Sequence, residues 1–286
     1  MHKATISREL ARNTGRRGYR PKQADERAQA RKLKRVRPRI SAAQWRQVEQ
    51  LLRQQWSPEQ IAGRLRLEGQ TPISHERIYQ YIYVDKRRGG TLHLHLRCQK
   101  KRRKRYGPYS RRGQIPNRVP IDQRPQEVEH KTRLGDWEAG TIIGRQHKEA
   151  MVSLVERQSK LTRLGRVAHN TAELVTQVIS TRLRALTVKT ITSDNGREFA
   201  YHQRIGQKLR ADFYFAHPYH SWERGLNEKT NGLVRQYFPK RSEFSKITER
   251  QVAKVEERLN NRPRKTLGYK TPNEVFFKLS LVALTT

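Results

Sequence analysis

A surplus of positive charge sets the limits on this chain. Its 286 residues carry 62 lysines and arginines against 26 aspartates and glutamates, a formal net charge of +36 with the histidines neutral. Folding brings like charges together, so such a chain needs a polyanion as partner, or solvated arms that keep the charge apart. Nucleic acid is the first polyanion to consider, and an anionic membrane surface the second. Hydrophobic residues make up 34% of the chain, which is low for a chain folded throughout and also points to solvated segments.

The surplus is uneven. Positions before 126 hold 33 basic and 9 acidic residues, and the rest hold 29 and 17. This predicts a front that grips nucleic acid and a more globular back. Two basic runs, 31–39 and 100–105, read as phosphate-contacting segments or as solvated linkers. Cys98 is the one cysteine, so disulfide frameworks and Cys-rich zinc fingers within the chain are excluded. His93, His95 and Cys98 give three candidate metal ligands without a clear fourth, so an exposed or β-paired segment is the simpler reading there. No stretch approaches the roughly 18 apolar residues of a membrane span, and the first residues lack a signal-peptide core. The expectation is a cytoplasmic chain with no membrane partner.

In the front half, Trp45, Val48, Leu51 and Leu52 fall on one helical face over 41–54. Ser57, Pro58 and Gln60 open a second helix, and Ser74 a third that carries Arg77. Three short helices of this kind form a helix-turn-helix unit, with the last helix in a DNA major groove, or a plain three-helix bundle. Residues 5–13, with Arg8, read as the last helix of a further helix-turn-helix whose supporting helices are not present.

From about 130 the pattern changes. Strands are predicted at 134–143, 150–156, 161–168, 187–193 and 212–215, with helices at 171–186, about 197–209 and about 222–237. Three hairpin-linked strands followed by helix-linked ones make an antiparallel meander extended by parallel strands, an α/β sheet with helices on both faces. Asp136 on the first strand and Asp194 after the fourth meet if those strands are neighbours, with Glu228 on the next helix. Three such carboxylates can hold two hard divalent ions, Mg²⁺ or Mn²⁺, for in-line phosphoryl transfer. Each acid also has a plain reading: a strand end for Asp136, a turn for Asp194-Asn195-Gly196, and a helical acid paired with Arg224 for Glu228.

These residues carry a resemblance. Gly135-Asp136-Trp137-Glu138, the string 193–199, the long stretch 218–240 and the 260–269 region with Asn260, Asn261, Arg262 and Pro263 together resemble the DDE transposases of the insertion-sequence family named IS-thirty. More broadly they are similar to retroviral integrase cores. The resemblance implies an RNase H-like core with Asp136, Asp194 and Glu228 as metal-binding catalytic triad. It implies cleavage of element ends with water as nucleophile, then joining to target through a 3′-hydroxyl. It also implies double-stranded DNA as partner, a nucleoid-associated setting, and a dimer or larger homo-oligomer. Arg224, Asn231, Arg235 and Lys240 become expected DNA contacts beside Arg8 and Arg77, and Trp222 an expected packing anchor. The resulting division is 1–30 as a helix-turn-helix remnant, 31–106 as a basic helical DNA-binding domain, 107–129 as linker and 130–286 as catalytic core. The competing reading is a truncated, non-catalytic DNA-binding regulator of transposition.

Overall fold

The computed structural model describes residues 2–16, 18–35, 40–97, 115–145, 149–217 and 220–284. The basic run 100–105, Cys98 and positions 36–39 lie outside them. The chain divides into two compact units, residues 1–48 and 49–286.

The first unit holds α1 (Lys3–Asn13) and α2 (Pro21–Arg35). The His2 side chain accepts from the Ala4 N–H and caps α1. Arg27 and Arg31 of α2 donate to the carbonyls of Arg12, Asn13 and Thr14 at the far end of α1. Cations there satisfy orphan carbonyls and oppose the negative end of the helix. Residues 3–13 thus pair with a helix that follows them in the chain. Arg8 is exposed.

α3 (Ala42–Arg53) runs across the division. α4 (Pro58–Leu67) starts with the predicted capping box, Ser57 and Gln60 satisfying each other's backbone N–H groups. Ser74 caps α5 (His75–Arg87), and Arg77 is exposed on its first turn. Leu52, Ile61, Leu65, Ile78 and Ile82 are buried between these helices' faces. The short α6 (Gln126–His130) precedes the sheet.

The sheet has five strands: β1 (Asp136–Ile143), β2 (Ala150–Glu156), β3 (Thr162–Val167), β4 (Thr190–Ser193) and β5 (Asp212–Phe215). Their order is β3-β2-β1-β4-β5. The first three run antiparallel, and β4 and β5 lie parallel to β1. This is the mixed sheet of an RNase H-like fold. α7 (Ala172–Leu183) and α8 (His202–Leu209) make the crossovers that parallel pairing demands. They cover one face, over a core with Trp137, Ala139, Val175, Ile179, Ile191 and Phe213. α9 (Gly225–Tyr237) and α10 (Glu249–Asn260) cover the other, over Ile142, Met151, Leu164, Leu233 and Val252.

Two segments read as separate from the core are joined to it. Residues 115–130 lie along its edge: Ile115 is in the core, and the Phe215 N–H donates to the Val119 carbonyl at 2.9 Å. α4 docks on the chain's last segment, which ends in α11 (Pro272–Leu284). Arg64 grips both oxygens of Glu274 at 2.8 and 2.9 Å, and Gln60 donates to the Pro263 carbonyl at 2.8 Å. Gly63 lets the Tyr269 ring close in, since a Cβ there would stand 2.3 Å from the ring.

Candidate active site

Parallel pairing fixes which residues of β1 and β4 stand side by side. Asp136 opposes Thr190, Trp137 opposes Ile191 and Glu138 opposes Thr192. Asp136 therefore lies four residues short of the row that leads to Asp194. At the strand rise that is about 13 Å. Its carboxylate is fully buried, accepts from Thr190 Oγ1 at 2.8 Å and meets Arg133 Nε at 3.1 Å. Asp136 is a structural acid at the start of β1, and the expected meeting of Asp136 with Asp194 does not occur. The strands are neighbours as expected, but the parallel register sets the two acids at different heights.

Continuing the same register sets Gly140 against Asp194. The neighbourhood of Gly140 agrees: a Cβ there would fall 2.2 Å from Asn227 Oδ1 and 3.3 Å from Arg224 Nη1. Arg224 spans this point. Its Nη1 donates to the Ala139 carbonyl at 3.0 Å, and its Nη2 to Asp194 Oδ2 at 2.8 Å. Arg224 is thus the partner of Asp194, not of Glu228. Glu228 sits one turn further along α9 and is exposed.

Glu138, on the same strand face, is a site residue that sequence reasoning passed over. It is 1% exposed. Arg157 Nη1 meets its Oε1 at 2.6 Å, and the Asn227 N–H in the first turn of α9 meets its Oε2 at 2.8 Å. A carboxylate bonded at a helix N-terminus suits the positive end of the helix. Asn227 also donates to Ser153, so the start of α9 is pinned to β1 and β2.

The expected DNA contacts divide in two. Asn231 is tied to Ser153 and Asn227. Arg235 donates to the Ile143 carbonyl at 2.7 Å and the Pro239 carbonyl at 3.2 Å, and burial lowers its pKa. Both are spent on holding α9 to the sheet. Lys240 and Arg77 are exposed. Trp222, expected to be a packing anchor, is 69% exposed and stacks on His220 with ring centroids 4.4 Å apart.

A cleft of about 610 Å³ opens between the chain around Ser57, the start of α9 and residues 262–266. Arg157, Lys160, Lys229, Arg262 and Arg264 line it, with Glu138 on its wall and Trp222 on its margin. Crowded cations lose solvation here: burial pushes the Lys160 amine down to about 8 and the Arg264 guanidinium to about 10. An incoming phosphodiester would relieve both costs.

A divalent ion pair needs several converging carboxylate oxygens. The residues present do not supply them. Asp194 is engaged by the Arg224 guanidinium, Asp136 is distant, and position 140 carries no side chain. Among the described residues, the one group with metal-ligand spacing is His217, His220 and Glu223. Both imidazole Nδ1 atoms there face the same Glu223 oxygen, at 2.9 and 3.1 Å, and that hydrogen bond raises the His217 pKa. No described helix is long and apolar enough to cross a membrane.

No family model matches the chain. It is similar to the transposase for insertion sequence element IS4351 of Bacteroides fragilis, 47% identical over 282 residues that span 96% of this chain and 86% of the relative. It is 36% identical over 291 residues to transposase InsI for insertion sequence element IS30A of Escherichia coli (strain K12), covering 95% and 75% of the two chains. The transposase for insertion sequence element IS1086 of Cupriavidus metallidurans is 35% identical over 288 residues, covering 95% and 84%. Among solved structures, the catalytic core domain of BIV integrase matches with a TM-score of 0.42 and 19% identity, over 52% of this chain and 97% of that one.

Proposed function

The chain belongs to the family of insertion-sequence transposases that includes those of IS4351 and IS30A, and from that premise we propose that it handles DNA at the edge formed by Asp194, Arg224 and Glu228. By family it is a transposase for an insertion element, of the polynucleotidyl-transferase type that acts on DNA. Transposases of this kind generally depend on a divalent metal. The single observation that carries the choice of edge is the Arg224 guanidinium, which joins the loop after β4 to the start of α9, with Glu228 one turn beyond.

The polycationic cleft takes the phosphodiester backbone, with Lys160, Lys229 and Arg264 supplying charge. Trp222 offers an exposed ring on which an unpaired base can stack, a contact typical of single-stranded ends. α5 presents Arg77 to duplex DNA, and Arg8 on α1 and Lys240 after α9 add phosphate contacts. The chain works as a dimer or larger assembly, since two element ends must be held together.

Photo-crosslinking tests this reading. A duplex carrying the element's terminal repeat and a photoreactive phosphate at the cleavage position is bound, irradiated and digested. The expected crosslinks fall on peptides from 194–240 and 157–160. Crosslinks confined to other surfaces would remove the edge from the reading.

A further inference from the structure

The parallel register of β1 and β4 sets a glycine where a third carboxylate would complete the Asp194 edge. We infer that the seat of the first acid is position 140, not 136, and that Gly140 leaves this chain one carboxylate short, with Arg224 standing in as the counter-cation of Asp194. The inference rests on the assignment of that edge to DNA chemistry, and refines it.

Three observations carry it. First, Asp136, Glu138 and Gly140 alternate onto one face of β1, and only the last continues the row to Asp194. Second, the space above Gly140 is bounded by site residues: Asn227 Oδ1 and Arg224 Nη1 are the nearest atoms to a Cβ built there. A side chain at 140 would point between Asp194 and α9. Third, neither neighbouring acid is available as a substitute. Asp136 is consumed by Thr190 and Arg133, and both oxygens of Glu138 are engaged by Arg157 and the start of α9. A guanidinium bridging Asp194 and the Ala139 carbonyl is what remains when an anionic site lacks an anion: one acid balanced by one fixed cation. A divalent ion would have to displace Arg224 and would find too few oxygens in return.

The consequence is that the parent chain binds DNA through its cations yet supports little metal-dependent strand cleavage, and an acid returned at 140 restores both metal affinity and cleavage. The test uses the full chain, Mn²⁺ alone as the calorimetric probe, and nicking of supercoiled plasmid as the activity. Gly140→Asp is compared with the parent, with Gly140→Ala and with Asp136→Asn. Gly140→Asp is expected to bind Mn²⁺ about ten-fold or more tighter than the parent and than Gly140→Ala. Its nicking is expected to rise on the order of 100-fold. Asp136→Asn is expected to leave Mn²⁺ affinity unchanged.

Because Asn227 crowds position 140, the pair Gly140→Asp with Asn227→Ala is a second variant that removes the clash while keeping the new carboxylate. A parent that binds Mn²⁺ as tightly as Gly140→Asp, or loses that binding in Asp136→Asn, would overturn the inference and leave the Asp194 edge standing. So would folded 140 variants that gain nothing. Adding Asp194→Asn to Gly140→Asp separates the two levels. Gain that persists without Asp194 would overturn the edge itself, and gain that disappears supports both.

Discussion

Asp136 and Asp194 show how two carboxylates of one chain come to do different work. Asp136 is sealed at the start of β1 with a hydroxyl and a guanidinium on its oxygens, whereas the Asp194 side chain is 46% exposed. Replacing Asp136 by Asn removes a charge from a buried pair and leaves Arg133 partly uncompensated. The expected cost is about 1–3 kcal/mol of stability, seen as a lower Tm. Asp194→Asn keeps an amide oxygen for the buried Arg224 on a half-exposed side chain, so it is expected to cost less, about 1 kcal/mol or below. Equal losses for both, in thermal unfolding followed by circular dichroism, would contradict this division. The sequence made Asp136 attractive because Gly-Asp-Trp-Glu is a conspicuous string. Residues 136, 138 and 140 share a strand face by period-two alternation, so spacing alone could not choose among them. The choice needs the β1–β4 register, which depends on how α7 returns the chain and is not written in any local motif.

Among elements, the legible ones were those whose own residues settle them. The capping box of α4, the Ser74 cap of α5, the alternation of β1 and the β-branched run of β4 are local signals; the five strands and α7, α8 and α9 appear near their expected bounds, whereas α10 was not anticipated. The 107–129 stretch was less legible, because proline and glycine mark a break in regular structure whether or not the segment is packed. Ile115 and Val119 found partners on the core's edge that sequence pattern does not display. The docking of α4 is of the same kind. Gly63 reads as a weak point in a helix, yet it is the opening through which Tyr269 reaches α4. Gly63→Ala is therefore expected to destabilise, by about 1–3 kcal/mol, despite alanine's better helix propensity. Hydrogen exchange should speed up over 58–67 and 263–276 together. Slower exchange in α4 would mean that the ring simply moves aside.

At the scale of the whole molecule, charge governs. A net charge of +36 makes association with DNA a matter of displaced counterions. If six or more phosphates are neutralised, affinity should fall by about 10³ or more between 50 and 200 mM salt. Fluorescence anisotropy across that range measures the slope, and a flat response would assign the binding energy to uncharged contacts. The docked pair Arg64–Glu274 adds a different constraint, one of time. Its partners stand 210 residues apart. At 5–20 residues per second, roughly 10–40 s of synthesis separate them. Through that interval α4 has emerged with its docking face open and its most basic neighbours already available to nucleic acid. The earliest DNA such a molecule can meet is whatever lies beside its own ribosome.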